Sequence, residues 1–293
     1  MRRWIAATAG LAAVLLLGTG CTTPPPGTDG DITNGWSLIG DPVPFRPAAH
    51  ACHEDIGRTA SLSEYAPVDC AGVHVSETYH VGVLTDAAAR ADDVPSDDSP
   101  AARTAYRECS DAAADFVGGS WRTGRIAVNV VWPSQAAWAG GVRWFRCDLT
   151  EVDLDGRPRT GRKGSMARAL PALRLGCFNP TVAGSSVKSM KPVRCDSRHR
   201  AEFAGVWTAP DVPYRNQAAD VTRTARGCRS AIATFASVPD DSDMKYRSGW
   251  ISFIPSRAQW EQGERGVRCF LWFGDRWLTR SLKGAGPSAL PVN

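Results

Sequence analysis

The sequence predicts an α+β fold of two tandem, disulfide-stabilised domains, each with a small antiparallel sheet, one main helix and one short helix. The pattern V-x-C-x-x-x-H-x-x-E occurs at Val68–Glu77 and again at Val193–Glu202. In both copies the cysteine of the pattern lies 18 residues after an earlier cysteine. Eight cysteines follow Cys21, four in each half, and an even number in an exported chain is typical of a disulfide framework. A duplicated disulfide-bearing domain accounts for both observations.

Residues 1–20 have the features of an export signal: two early arginines, the apolar run Ile5–Leu17 and the small residues Gly18–Gly20. Cys21 follows directly, and Leu17–Cys21 resembles a bacterial lipobox whose leucine lies one place too early. We therefore expect Cys21 to be lipidated and the protein to be exported to the outer face of the cell membrane. Ordinary cleavage and an uncleaved signal anchor are the alternatives.

Residues 21–45 are expected to form the lipid anchor and a flexible tether, because this stretch is rich in proline and glycine. Domain 1 is then predicted at residues 46–170 and domain 2 at residues 171–293. The net charge of the whole chain is only +4. Without a strong basic field we do not predict nucleic-acid binding. The expected partners are the membrane, through the anchor, and an unknown envelope protein or polymer.

The elements of domain 1 follow from patterning, turn residues and capping signals. Ser99-Pro100 is a typical helix start, and the small or apolar residues Ala105, Cys109, Ala113 and Phe116 give the helix one apolar face. The other elements are a strand at His74–Leu84, a loop at Ala87–Ser99, a strand at Ile126–Trp132, a short helix at Pro133–Trp138, a strand at Val142–Leu149 and a closing segment at Thr160–Ser165.

Domain 2 repeats this order after a border near Leu170-Pro171-Ala172. Its predicted elements are a main helix spanning Val221–Phe235, a strand at Trp250–Ile254, a short helix at Pro255–Trp260, a last strand at Val267–Cys269 and a closing segment at Leu278–Gly284. Trp138 and Trp260 occupy equivalent positions, nine residues before a cysteine in both copies, and are expected in the core.

Four cysteines in a domain allow three pairings, and the sequence alone does not choose among them. We favour a first bridge that closes a loop and a second that fastens the main helix to the last strand. The favoured pairs are Cys52–Cys70, Cys109–Cys147, Cys177–Cys195 and Cys228–Cys269.

Several of these features together resemble the septum formation family of actinobacterial exported or membrane-anchored proteins. They are the paired cysteines, the C-x-x-x-H-x-x-E block, the cysteine helix ending at Phe116 or Phe235, the P-S-x-x-x-W block and the R-C strand. Family members often have proline before the histidine, where this chain has Val73 and Arg198. The resemblance implies a cell-envelope protein linked with septum formation, without an established enzymatic activity.

The block His74-x-x-Glu77-x-x-His80 superficially resembles a metal-ligand set. On a strand its two histidines would lie about 20 Å apart, too far for one ion. The second copy has Gly205 in the place of the second histidine. We therefore predict no metal and no cofactor.

Two interpretations remain for the candidate polar site, which consists of His74, Glu77, His199 and Glu202. The first is a local network near the first disulfide, in which the carboxylate fixes the histidine tautomer or pairs with an arginine. The second is contact with a ligand. No catalytic motif is recognisable, so we expect a non-enzymatic binding or scaffolding role. An exported hydrolase of envelope polymers and a ligand- or metal-sensing surface domain are the alternatives.

Overall fold

The computed structural model describes residues 43–57, 65–154, 156–184 and 186–292. The predicted signal peptide, Cys21 and most of the tether lie outside these ranges. Pro44–Asn293 forms one compact unit, in which we call residues 44–169 the N-terminal half and residues 170–292 the C-terminal half. Within the described ranges, none of the helices has the length and hydropathy needed to span a membrane.

The predicted α+β class is confirmed, since helices pack on antiparallel sheets. The strands are β1 (Ala51–His53), β2 (Val73–His74), β3 (Ser76–Val83), β4 (Ile126–Val131), β5 (Trp144–Glu151), β6 (Arg162–Lys163), β7 (Cys177–Ala183), β8 (Ser186–Val193), β9 (Ala201–Thr208), β10 (Gly249–Phe253) and β11 (Gly266–Trp272). The helices are α1 (Asp86–Ala89), α2 (Pro100–Val117), α3 (Gln135–Ala139), α4 (Leu170–Leu173), α5 (Tyr214–Ala219), α6 (Val221–Ala236), α7 (Met244–Arg247) and α8 (Arg257–Glu261).

The sheet of the N-terminal half has the strand order β1-β3-β5-β4, and β2 pairs separately with β6. The predicted strand from His74 to Leu84 is therefore split at Val75. The backbone of His74 pairs with Arg162 in β6, whereas Ser76 begins the main sheet. This split brings the start of the polar motif against the closing segment of the same half.

Helix α2 packs on this sheet as predicted. The side chain of Ser99 accepts the N–H of Ala102 at the start of the helix, and Gly118 ends it in the left-handed conformation. Ala105, Cys109 and Ala113 are fully buried, whereas Phe116 at the end of the predicted apolar face is half-buried. The helix therefore supplies one side of the core, and the sheet supplies the other.

The sheet of the C-terminal half has the order β10-β11-β9-β7-β8, with α6 packed on one face. The hairpin of β7 and β8 was not predicted from the sequence. Pro180 in β7 lies beyond the two residues, Cys177 and Phe178, at which β7 pairs with β9. Pro192 lies in β8, which is an edge strand, so neither proline interrupts pairing in the centre of the sheet. The short helices α1, α4, α5 and α7 were also missed, and α1 occupies the start of the predicted loop Ala87–Ser99.

The two short helices that were predicted, α3 and α8, hold the two tryptophans in the same way. Trp138 and Trp260 are almost completely buried, which confirms their predicted place in the core. The guanidinium of Arg143 lies 4.2 Å from the ring centroid of Trp138, and that of Arg265 lies 4.3 Å from that of Trp260. Each indole N–H donates to a backbone carbonyl.

The predicted border between domains lies within α4, and the backbone around it is hydrogen-bonded. The N–H of Arg125 donates to the carbonyl of Leu173, and the N–H of Leu175 donates to that of Thr123. Leu170 and Leu173 are both buried. The chain therefore passes from one half to the other through packed structure, and the domain boundaries remain a prediction from the sequence.

The described residues contain four disulfides, in the pairing that we favoured from the sequence. The bridges Cys52–Cys70 and Cys177–Cys195 each close a separation of 18 residues, and the helix-to-strand bridges Cys109–Cys147 and Cys228–Cys269 close separations of 38 and 41 residues. Because longer closed loops restrict the unfolded chain more, the helix-to-strand bridges are expected to contribute more to stability.

We predict that replacing Cys228 and Cys269 together by alanine lowers the free energy of unfolding by about 4 kcal/mol, against about 3 kcal/mol for Cys177 and Cys195. Denaturant titration of the oxidised proteins measures both losses. The fully reduced wild-type protein serves as the control and should be less stable than either variant. A double variant as stable as the wild type would contradict the contribution of that bridge.

Candidate functional site

In the N-terminal half, the motif glutamate binds the closing segment. Glu77 is 1% exposed, and its carboxylate accepts hydrogen bonds from Ser165 Oγ and from the N–H of Met166, both at 2.6 Å. The hydroxyl of Ser165 also accepts the N–H of Ala167 at 3.0 Å. His74 is equally buried, and its Nδ1 lies 3.1 Å from the carbonyl of Gly72.

The C-terminal half has the same arrangement. The carboxylate of Glu202 accepts from Ser281 Oγ at 2.6 Å and from the N–H of Leu282 at 3.0 Å. His199 Nε2 lies 3.1 Å from the Glu202 carboxylate, and His199 Nδ1 lies 2.7 Å from the carbonyl of Ser197. The backbone of His199 also pairs with Leu278, as that of His74 pairs with β6.

This geometry corresponds to the first of the two interpretations, a local polar network, but with different partners. The glutamates bind a serine hydroxyl and a backbone N–H and not an arginine, and only Glu202 contacts its histidine. All four motif side chains are at most 1% exposed. A ligand could reach them only if the closing segment moved away. In the arrangement that the structure shows, the network joins the motif to the closing segment and stabilises the fold.

The same residues do not fit a metal ion. Among the described residues, two groups of three potential ligands lie within 4.8 Å, namely Cys52, Cys70 and Glu77, and Cys177, His199 and Glu202. Every sulfur in these groups belongs to a disulfide, whereas metal binding requires the thiolate. His80 points elsewhere, with its Nε2 2.6 Å from Glu108 on the partly exposed surface of α2.

We predict that Glu77→Gln and Glu202→Gln each lower the free energy of unfolding by about 1–3 kcal/mol, because the amide loses the charge that two donors bind in a buried place. Denaturant titration measures the loss. Glu108→Gln is the matched control, since Glu108 is exposed and its pair with His80 is on the surface; its change should stay within about 0.5 kcal/mol. Equal effects at all three positions would show that burial of the carboxylate does not matter.

A second buried polar network, on the face of the first sheet opposite α2, was missed by sequence reasoning. His53 Nε2 lies 3.0 Å from Thr78 Oγ1, which donates to Asp148 at 2.7 Å, and Asp148 pairs with Arg146 at 2.7 Å. Burial raises the pKa of Asp148, and Arg146 and Thr78 oppose that rise. Both sides of β5 are buried, so the polar side chains of this strand need hydrogen-bond partners within the protein.

The pKa of His53 is lowered from 6.5 to about 4, first by burial and then by the positive charge of Arg146 and by His74. The folded protein therefore keeps this imidazole neutral at a pH where the unfolded chain protonates it. It follows that stability from this group is complete above pH 6.5 and is lost as the pH falls towards 4.

We predict that the free energy of unfolding falls by about 3 kcal/mol from this cause between pH 6.5 and 4, and that His53→Gln removes this part of the pH dependence. Unfolding titrations at several pH values measure it as the difference between wild type and variant. Parallel curves for wild type and His53→Gln would contradict the assignment.

The junction between the halves carries a third network, also without a sequence signal. Glu264 of the C-terminal half is 3% exposed and accepts from Tyr106 Oη at 2.6 Å and from Arg122 Nε and Nη2 at 2.7 and 2.6 Å. Burial and the nearby carboxylate raise the pKa of Tyr106. The carboxylate belongs to the C-terminal half and its donors belong to the N-terminal half. If the halves were apart, the buried carboxylate and these donors would lose each other as hydrogen-bond partners.

Arg268 makes the same connection from the neighbouring strand. Its guanidinium donates to the backbone carbonyls of Arg122, Gly124 and Ile126 at 3.0, 3.1 and 2.7 Å, and burial lowers its pKa. Arg146 occupies the corresponding position before the cysteine of β5 and pairs within its own half. The arginine of the R-C sequence thus forms an ion pair within the N-terminal half, whereas the equivalent arginine of the C-terminal half donates hydrogen bonds across the junction.

The fold and these networks define an α+β protein whose disulfides and buried carboxylates stabilise it. The family model described as "Septum formation" matches residues 49–269, which is most of the chain. The chain therefore belongs to the septum formation family. No curated protein matches the sequence, and no solved structure matches it.

Proposed function

We propose that this protein is a non-enzymatic cell-envelope lipoprotein with a binding or scaffolding role in septum formation. The observation that carries the proposal is the family match over residues 49–269. The four disulfides support an exported protein, because such bridges persist in oxidising compartments. An export signal in residues 1–20 and lipidation of Cys21 would place the chain on the outer face of the membrane, with the tether between anchor and folded unit.

The folded unit consists, in this proposal, of two tandem copies of one domain. The supporting evidence is the recurrence of the same local contacts in both halves. A motif glutamate binds the closing serine and the next N–H, a disulfide joins the main helix to a strand, and an arginine stacks on the buried tryptophan of the short helix. Contacts of this detail are expected when two segments share one ancestral fold.

The geometry of the motif favours the non-enzymatic role over the alternative of an exported hydrolase. Glu77 and Glu202 are buried and their oxygens already accept hydrogen bonds from the closing segments, so neither is placed to activate water. If the glutamine variants at these positions abolished a hydrolysis of envelope polymers while keeping wild-type stability, the enzymatic alternative would replace this proposal.

We predict that the wild-type protein is found in the membrane fraction and at division septa of an actinobacterial host, and that Cys21→Ser moves it to the medium. The physical reason is that acyl chains on Cys21 supply the membrane affinity, which serine cannot carry. Fractionation, mass spectrometry of the mature N-terminus and a C-terminal fluorescent protein that matures outside the cytoplasm measure these outcomes.

Thr22→Ser, one residue further on, is the matched control and should behave as the wild type. A mature chain without lipid mass would overturn the anchor. Uniform labelling of the envelope, with septa no brighter than side walls, would overturn the link with septum formation while leaving the anchor intact.

A further inference from the structure

Two adjoining cavities lie at the junction of the halves, and Arg122, Glu264 and Arg268 of the junction network line part of the smaller one. Their volumes are about 270 and 380 Å³, and Leu154 and Phe253 line both. We call the two together the junction groove. Leu154 belongs to the N-terminal half and Phe253 to the C-terminal half, so the groove exists only where the two meet. Cavities of this size at such junctions are common ligand sites.

The floor of the larger cavity is aromatic and rigid. Phe178 and Phe253, which line it, each meet Phe270 edge to face, at centroid distances of 5.5 and 5.6 Å. Val187 and Met190 of β8 form the side wall, and both are only half-buried. This surface lies on the face of the second sheet opposite α6 and is apolar. The corresponding face of the first sheet carries the polar network of His53.

The opposite wall of the same cavity carries Arg125 and Arg159, and Lys188 of β8 lines the cavity as well. Arg125 and Arg159 share one carboxylate, that of Glu151, at 3.2 and 3.6 Å, and Arg162 contacts this carboxylate as well at 3.1 Å. Arg159 also pairs with Asp153 at 3.5 Å. Two carboxylates therefore face three guanidiniums and one ammonium group, which leaves an excess of positive charge beside an apolar floor.

We propose that the junction groove binds an amphipathic anion consisting of a single alkyl chain with a terminal carboxylate or phosphate. The alkyl chain of the ligand lies on Leu154 and Phe253 along both cavities, where the contact removes apolar surface of ligand and protein from water. The anionic end lies between Lys188 and Arg159, which supply charge-assisted hydrogen bonds. This inference concerns the folded unit alone and does not depend on the anchor or on septum formation.

The first test uses the Cys21→Ser chain, purified from whichever cell fraction contains it, and four twelve-carbon probes below their micelle concentrations. Dodecanoate and dodecyl phosphate carry the proposed anions, dodecyltrimethylammonium carries a cation, and dodecyl maltoside is neutral. Calorimetric titration is expected to give one saturable site for an anion and at least tenfold weaker binding of the other two heads. Binding of the phosphate alone would assign a phospholipid-type head, and binding of the carboxylate alone would assign a free fatty acid.

Equal binding of the neutral probe would overturn the role of the positive wall, and absence of saturable binding by both anions would overturn the site itself. Because these outcomes are measured on purified protein, they are independent of where the protein is found in the cell.

The second test places the site. Lys188→Glu reverses a charge in the wall and should weaken anion binding at least tenfold; Lys191→Glu, exposed on the same strand outside the groove, should leave it unchanged. Ser189→Trp should block the larger cavity, and Ser186→Trp, exposed and outside it, should not. All four positions are exposed, so folding is expected to be kept and is checked by circular dichroism. Equal losses in both members of a pair would overturn the location.

Discussion

A buried carboxylate connects the beginning and the end of each half, and the rest of the fold depends on this connection. Removing a carboxylate from water is costly unless its oxygens accept hydrogen bonds. Glu77 and Glu202 meet that requirement only when the closing segment presents its serine and the following N–H. The segment that folds back last in the chain is thus required by a residue near the start, which makes each half cooperative.

The disulfides reinforce this connection. Cys70 and Cys195 belong to the same motif as the buried glutamates, so the loop-closing bridges lie beside the polar network. The helix-to-strand bridges lie on the same face of each sheet, because Glu77 pairs with a residue of β5 two places from Cys147 and Glu202 with a residue of β11 two places from Cys269. In each half, both bridges and the buried carboxylate therefore stabilise the side of the sheet that the main helix covers.

Local regularities were predictable from the sequence, and the environment of charged residues was not. The spacing of Ala105, Cys109 and Ala113 predicted α2, because a helical face depends on the chain nearby. The even number of cysteines predicted disulfides but left three pairings open in each half, of which the favoured one is present. The burial of Arg146 and Glu264 depends on surfaces distant in sequence. For the candidate site, the motif residues were predicted, but their partners in the closing segments were identified only from the structure.

The two sheets carry different chemistry on the face away from the main helix. In the N-terminal half that face is filled by hydrogen-bonded polar side chains around Asp148. In the C-terminal half it carries phenylalanines around Phe270 and is bordered by the arginines that face Glu151. The helix side and the disulfides are alike in both halves, so the difference between the halves is concentrated on this face.

No disulfide crosses the junction, since each bridge joins two cysteines of the same half. A mechanical load applied between the two ends of the folded unit would pass from one half to the other through the main chain and through noncovalent contacts alone. The ion pair of Glu264 with Arg122 and the carbonyl contacts of Arg268 would resist it. Under tension the segments enclosed by a bridge cannot extend beyond it, whereas the junction and the groove within it can open.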